Sequence, residues 1–427
     1  MERLARLAGV LAVGTSAAVA SAEVTLRFVD PTTTDPAIDD VVLPNADGFA
    51  RDHVIAIDPS LAASDRLFLW LPGTGASPTQ YQSLAEASAA TGMPTIGLVY
   101  DSHPPVNLLT LNDTDPELPE TIRRTRLFGE DGGPDSPVQV DEANGVVNRL
   151  VRVLQDQHTA HPDEGWDRFL SSSGGVEWGR IVVGGHSQGA GHAAYLSKQF
   201  PLAGGLMFGG PGDFVRDFGQ APWLFDPGAT SADRLFGFTH IDDPNIAGFL
   251  GNQRTLGLED FGPIQNVDGK TEDELTSHML ISLADLGPDA NYHSANVVDQ
   301  FMPFESDGTP TYLPAWNYLF DSVEDTTLIA LGDANLDGRV DLADFGVLRA
   351  NFGVDDRFWQ DGDFNADRRV DLADFGILRA NFGGSLASFD AVATPWLASL
   401  GVVPEPSASL ALIAGSGLIA VRRRRGL

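Results

Sequence analysis

The chain of 427 residues contains no cysteine, which excludes disulfide staples, thiol nucleophiles and thiolate metal sites. Any catalysis must use oxygen, nitrogen or bound ions. Positive charge is also scarce: 27 lysines and arginines stand against 59 aspartates and glutamates, a net charge of -32. A phosphate backbone would be repelled by this surface, which argues against nucleic acid and anionic membrane as partners. Calcium is the natural counter-ion for clustered aspartates. Long apolar runs are missing as well, since the segments from Leu7 to Ala20 and from Ala408 to Val421 fall short of the roughly 20 residues that a spanning helix needs. No amphipathic helix stands out as a lid over a lipid-sized site. A hydrophobic content of 43% still leaves ample material for one large domain with accessories.

The most informative stretch is Ile181-Val182-Val183-Gly184-Gly185-His186-Ser187-Gln188-Gly189, followed by an alanine-rich segment. A β-branched run, a glycine-flanked serine and a helix-forming sequence describe a strand, a sharp turn and a helix. A serine at the tip of such a turn takes strained backbone angles, so the positions two before and two after it must be small; here they are Gly185 and Gly189. Gly191, further into the helix, reads as a second position where helix and strand approach closely. Pattern and context together resemble the nucleophile elbow of α/β-hydrolases.

Around this elbow the chain reads as alternating strands and helices. Strands are expected near Val24 to Val29 and His53 to Asp58 as an opening antiparallel pair, then a buried strand over Arg66 to Leu71 that breaks into the turn Pro72-Gly73-Thr74-Gly75. A helix over Pro78 to Ala90 and a strand over Pro94 to Tyr100 complete a βαβ unit. Residues 101 to 137 are polar, proline-rich and aperiodic and read as an excursion over the site, and Val138 to His158 as a long helix. Further strands follow at Ala203 to Phe208, Arg234 to His240 and His278 to Leu283.

The resemblance to secreted bacterial α/β-hydrolases extends over roughly residues 23–322 and implies that fold, a mostly parallel central sheet flanked by helices. It also implies roles. Ser187 is the nucleophile; the acid follows a late strand at Asp242 or Asp243, with Asp242 favoured because Asp243 precedes Pro244; the base is His293 on the loop after the last strand, with His278 as its rival. Oxyanion donors are expected from the loop after the third strand, at Thr74 or Gly75, and from Gln188, the residue after the nucleophile. His186 and His192 read as structural.

After Thr326 the composition changes and a 30-residue period appears: Gly332 to Gly353 returns as Gly362 to Gly383. Acids and amides recur at the loop positions that wrap oxygen ligands around a hard cation: Asp333, Asn335, Asp337, Asp341 and Asp344 with the Arg339 carbonyl, then Asp363, Asn365, Asp367, Asp371 and Asp374 with the Arg369 carbonyl. The pair of loop-helix units resembles type I dockerin, a small all-α EF-hand-like module, which implies two Ca2+ ions and a cohesin-like protein partner. Arg368 departs from that pattern, standing where the loop wants its turn glycine.

Both ends carry targeting signals. Arg3 and Arg6, the apolar run and Ala20-Ser21-Ala22 read as a signal peptide, residues 1–22, removed before Glu23. At the other end Val403-Pro404-Glu405-Pro406, an apolar stretch and Arg422 to Arg425 resemble the PEP-CTERM sorting signal, residues 403–427, which implies an exosortase as processing partner and a transient or lasting membrane anchor. The expected order is signal, hydrolase domain, repeat at 326–385, linker at 386–402 and sorting tail. The expected function is an exported serine hydrolase of the cell envelope or exterior, most simply a carboxylic ester hydrolase acting on a small-molecule or polysaccharide-linked ester; peptidases and lipases share the fold. The reading from another class is an inert hydrolase fold in a cell-surface or matrix protein that acts through dockerin-mediated binding.

Overall fold

The computed structural model describes residues 24–400 except positions 62, 63, 112, 131, 132, 134, 135, 325–329 and 385. The segments expected to be a signal peptide and a sorting tail lie outside these residues; within them no helix is long and apolar enough to cross a membrane.

Strands β1 (Thr25–Val29), β2 (His53–Ile57), β3 (Leu67–Leu71), β4 (Thr95–Gly97), β5 (Ile181–His186) and β6 (Gly204–Phe208) belong to one sheet, a short hairpin of β7 (Phe214–Val215) and β8 (Gly219–Gln220) stands apart, and β9 (Leu235–His240), β10 (Gln265–Asn266) and β11 (Met279–Ser282) complete the sheet. Its order is β1-β2-β4-β3-β5-β6-β9-β11-β10. The pairs β1/β2 and β2/β4 are antiparallel and every other pair is parallel, with Leu71 opposite Gly185 at the end of β3 and β5. The chain therefore adopts a mixed α/β architecture with a mostly parallel central sheet, consistent with an α/β-hydrolase fold.

Strands as apolar as Leu67-Phe68-Leu69-Trp70-Leu71 have no face to offer water, so both faces are covered. Leu67, Leu69 and Leu71 point into a core shared with α5 (Val146–Ala160) and α6 (Gln188–Gln199), whereas Phe68 and Trp70 point into one shared with α2 (Gln82–Ala90) and α8 (Leu313–Glu324). The other helices of this domain are α1 (Pro31–Thr34), α3 (Val106–Thr110), α4 (Leu118–Phe128) and α7 (Ile246–Thr255).

Two expectations about helices need correction. The segment 101–137 is not irregular throughout, because α4 lies inside it, with Pro119 in its first turn and Gly129 (φ 71°) closing its end. Its buried face carries Arg123 and Arg126, so the apolar stripe that would reveal a helix is missing. The helix expected from Val138 starts only at Val146, because Gly145 keeps an extended conformation (φ -61°, ψ 148°) at its N-terminus.

In the repeat, α9 (Leu342–Asn351) and α10 (Leu372–Ala380) each follow an acidic loop and open on a capping box, Asp341 with Asp344 and Asp371 with Asp374. Residues 386–399, expected as linker, form α11 (Leu386–Ser399) instead. Phe389 and Trp396 of α11 pack on Phe345 at ring distances of 5.2 Å, and Arg379 pairs with Asp390, so this helix completes the core of the repeat. The repeat itself sits on the sheet domain. Trp359 meets Phe200, Gln360 donates to the Gly228 carbonyl, Arg124 of α4 donates to the Ala366 carbonyl at 3.0 Å, and Arg368 pairs with both Glu120 of α4 and Asp226.

Candidate active site

The elbow forms at the C-terminal end of β5, where Ser187 takes φ 56°, ψ -112°. A non-glycine residue held there costs on the order of 1–3 kcal/mol, which the packing around it must offset. The glycines on either side explain how. A Cβ on Gly185 would come within 2.2 Å of the Gly189 backbone, and one on Gly189 within 1.9 Å of the Leu71 carbonyl, so the turn is pressed against β3. Gly191 serves a different contact from the one expected: a Cβ there would strike the Arg123 guanidinium at 1.9 Å, not the sheet.

Ser187 and His293 line one cleft together with Thr74, Gln188, Asn245 and Phe249, around a cavity of about 50 Å³. His293 Nδ1 lies 2.6 Å from Asp243 Oδ2, and the Asp243 side chain is fully buried. The other Asp243 oxygen accepts the Asn245 N–H at 2.8 Å, fixing the carboxylate at the turn into α7. Asp242, the favoured acid, is not at the site. It is exposed, and its N–H donates to His240 Nδ1 at 3.1 Å. Asp243, set aside because it precedes Pro244, is the residue whose side chain meets the histidine. His278 stands at the opposite end of the sheet, where β11 begins; it is stacked between Phe236 and Phe261 at 4.0 and 4.6 Å and its Nδ1 bonds the Leu235 carbonyl.

The loop after β3 is bound at nearly every polar backbone atom. Tyr100 donates to the Pro72 carbonyl, the Gly73 N–H donates to Tyr81 Oη, Asn45 Nδ2 donates to the Thr74 carbonyl and the Asn45 N–H to the Gly75 carbonyl. The Gly75 N–H donates to Ser102 Oγ at 2.9 Å, so Gly75 is already engaged and does not serve as the free donor. That leaves the Thr74 N–H, which has no partner among the described residues. The N–H of Gln188, first residue of α6, has no carbonyl four residues back within the helix. Two amides without partners thus border the cleft that holds Ser187.

His186 ties these parts together. Its Nδ1 lies 3.0 Å from Tyr81 Oη, which also receives the Gly73 N–H, and its Nε2 lies 3.0 Å from the His293 carbonyl. With the proton on Nε2, the chain runs from the loop after β3 through the elbow to the backbone of His293. Burial, reinforced by the neighbouring His293, pushes the His186 pKa down to about 3, so the ring stays neutral, and the His293 carbonyl, which can only accept, puts its proton on Nε2. His192 is buried against Arg123 and is likewise held neutral, by burial first and then by Arg123.

Sequence reasoning missed the residues behind Gln188. Arg123 forms a buried ion pair with Asp213 and donates to the Gln188 carbonyl at 3.3 Å; Arg126 donates to Gln188 Oε1 at 3.0 Å. Gln188 Nε2 in turn donates to the Ser102 carbonyl at 2.8 Å. No local signal marks these arginines, because they lie about sixty residues before the elbow in a segment without apolar periodicity. A wider cleft of about 770 Å³ opens beside Asp39, Asp101, Asp141 and Arg149 but holds no serine–histidine pair.

The repeat loops present oxygen atoms only. Asp344 accepts the Ala334, Asn335 and Asp341 N–H groups, and Asp374 accepts the equivalent three from Phe364, Asn365 and Asp371. Asp333 and Asp363 accept the amides of positions 5 and 6 of their loops. These four carboxylates are buried, and burial, with Asp374 and Asp367 close by, pushes Asp363 up to about 8. Among the described residues no three acidic or imidazole groups converge closely enough to form a closed metal cage. The donor set is that of a hard divalent cation, and such an ion would compensate the buried negative charge.

No family model and no curated protein matches the chain. Among solved structures, a sugar hydrolase (YeeB) from Lactococcus lactis is similar to 64% of this chain and 93% of its own length, with 14% identity and a TM-score of 0.33. A likeness this weak bears on neither activity nor substrate.

Proposed function

We propose that this protein is a serine hydrolase that cleaves carboxylic esters through an acyl-enzyme. The observation that carries the reading is the contact of His293 Nδ1 with the buried Asp243 carboxylate at 2.6 Å, in the same cleft as a serine held at φ 56°. Asp243 fixes the imidazole tautomer with the proton on Nδ1, leaving Nε2 to take the Ser187 proton as the oxygen attacks an acyl carbon. The Thr74 and Gln188 amides receive the negative charge that develops on the carbonyl oxygen. His293 then returns the proton to the leaving alcohol, and water releases the acyl group by the same path reversed. The cavity of about 50 Å³ suits a short acyl group, so acetyl esters are the substrates to try first.

In the same proposal the protein is exported, its tail is a PEP-CTERM-type signal processed by an exosortase, and each repeat loop holds one Ca2+. Asp333, Asn335, Asp337, Asp341 and Asp344 would hold the first ion and Asp363, Asn365, Asp367, Asp371 and Asp374 the second, with the Arg339 and Arg369 carbonyls. Calcium there supplies positive charge that orders the loops; a cohesin-like partner is the ligand that the dockerin resemblance suggests.

The test is labelling with a fluorophosphonate probe and hydrolysis of p-nitrophenyl acetate, comparing wild type with Ser187→Ala. Both signals should be present in the first and absent in the second. A folded wild-type protein that neither labels nor hydrolyses esters would sink the reading.

A further inference from the structure

Helix α4 places two arginines three residues apart, both 1% exposed, and treats them differently. Arg123 meets the Asp213 carboxylate with two nitrogens and is neutralised by it. Arg126 has no ion-pair partner among the described residues. Its Nη1 donates to Gln188 Oε1 at 3.0 Å, its Nη2 donates to the Pro104 carbonyl, and its Nε is buried without a partner. The strongest negative influence on it is Asp101, with which it forms no ion pair, and Arg123 on the same helix opposes it. Burial pushes the Arg126 pKa down to about 10, so the group is still a cation at neutral pH. An uncompensated buried cation is costly, and this one spends one of its two bonds on the side chain of the residue after the nucleophile, one residue behind the cleft.

The Gln188 side chain is the link. Besides Arg126 it accepts the Val106 N–H at 3.0 Å and donates to the Ser102 carbonyl, while Ser102 Oγ accepts the Gly75 N–H. Arg126, Gln188 and Ser102 therefore connect the loop after β3 to the start of α6, the two segments whose free amides face the cleft. We propose that Arg126 is a positioning residue of the hydrolytic site: through Gln188 it fixes the two amides on the acyl oxygen, and its buried charge favours the oxyanion. This rests on the serine hydrolase reading above.

Inactivation by a fluorophosphonate separates the two. The full-length protein is compared as wild type, Ser187→Ala, Arg126→Met and Arg126→Lys, with the inactivation rate at saturation, the probe affinity and the melting temperature measured for each. Arg126→Met should slow inactivation at saturation about tenfold with little change in probe affinity, a smaller loss than removal of a hole donor itself. Arg126→Lys should recover most of that loss, since it keeps the charge. If the Met variant does not fold, Arg126→Gln, which retains one hydrogen bond to Gln188, replaces it and should show the same slowing. A neutral variant that reacts at the wild-type rate overturns the proposal, as does a folded Lys variant as slow as the neutral one. Wild type that goes unlabelled overturns the serine hydrolase reading instead.

Discussion

Replacing Asp243 by alanine and, in parallel, Asp242 by alanine sets two adjacent carboxylates against each other. In the wild type, Asp243 Oδ2 lies 2.6 Å from His293 Nδ1 and the carboxylate is shielded from water, so the bond is charge-assisted and unscreened. In the resting protein such a bond contributes about 1.5–3 kcal/mol. On the proposed mechanism its larger effect falls on the transition state, where His293 would carry a full positive charge and present Nε2 to the serine. Loss of a triad acid typically lowers turnover by about 10⁴, which at 1.36 kcal/mol per decade is roughly 5.4 kcal/mol. Asp242 is exposed and touches the site only through a backbone N–H that alanine retains, so its removal should leave the rate within about twofold, an effect under roughly 0.5 kcal/mol. The assay is initial-rate hydrolysis of p-nitrophenyl acetate, with melting temperatures to show that both variants fold. Equal losses in the two variants, or a folded Asp243→Ala protein with wild-type turnover, would refute the assignment.

Three further outcomes are expected. His53 and His186 have pKa values pushed down to about 3 by burial, and in each case the unfolded chain takes up a proton near pH 6.5 that the folded chain refuses. Their contribution is complete above pH 6.5 and is lost as the pH falls toward 3, by about 1.4 kcal/mol per pH unit for each ring; denaturant titrations at pH 7, 6 and 5 should show this, and His53→Gln should have a shallower acid slope than wild type. Calorimetric titration of metal-free protein with calcium should reveal two sites, Asp374→Ala should retain one, and chelation should lower the melting temperature of the wild type; no calcium heat in either protein would remove the ion from the proposal. Arg368→Ala should weaken the attachment of the repeat to the sheet domain, measured as faster proteolysis between residues 324 and 331 at unchanged calcium stoichiometry, and equal cleavage rates would show that the ion pairs with Glu120 and Asp226 contribute nothing.

The parts of this protein that announce themselves in sequence are those built from short-range rules. Gly185 and Gly189 have to be small because backbone atoms pass within 2.3 Å of where their Cβ atoms would lie, and the β-branched run before them needs burial on both faces. Residues at sequence-distant corners of the site are less legible. Asp242 and Asp243 have the same chemistry and neighbouring places, and only the turn into α7 decides which one enters the cleft. Arg123 and Arg126 were hidden for another reason: they share the buried face of their helix with Ile122 and Leu127, so the hydrophobic periodicity that usually marks such a face is interrupted by charge. The helix α11 was hidden by its proline at 395 and its neighbourhood of small residues, which read as linker, although Phe389 and Trp396 find the aromatic core of the repeat.

Arg368 shows how a departure from a local rule can have a tertiary cause. At the sixth loop position it takes φ 68°, matching the φ of 83° that Gly338 takes in the first loop, so the loop keeps its shape with a residue that resists it. That conformation costs an L-residue about 1–2 kcal/mol. A glycine would remove the strain but also the side chain, and the side chain is what reaches across to Glu120 and Asp226 and lies 4.4 Å over the Phe358 ring. Glu120 belongs to α4, the helix that three and six residues later supplies Arg123 and Arg126 to the back of Gln188. The second loop therefore gives up ideal turn geometry for a contact that the first loop, with Gly338, cannot make, and the two near-identical repeats differ in sequence at the point where one of them meets the sheet domain.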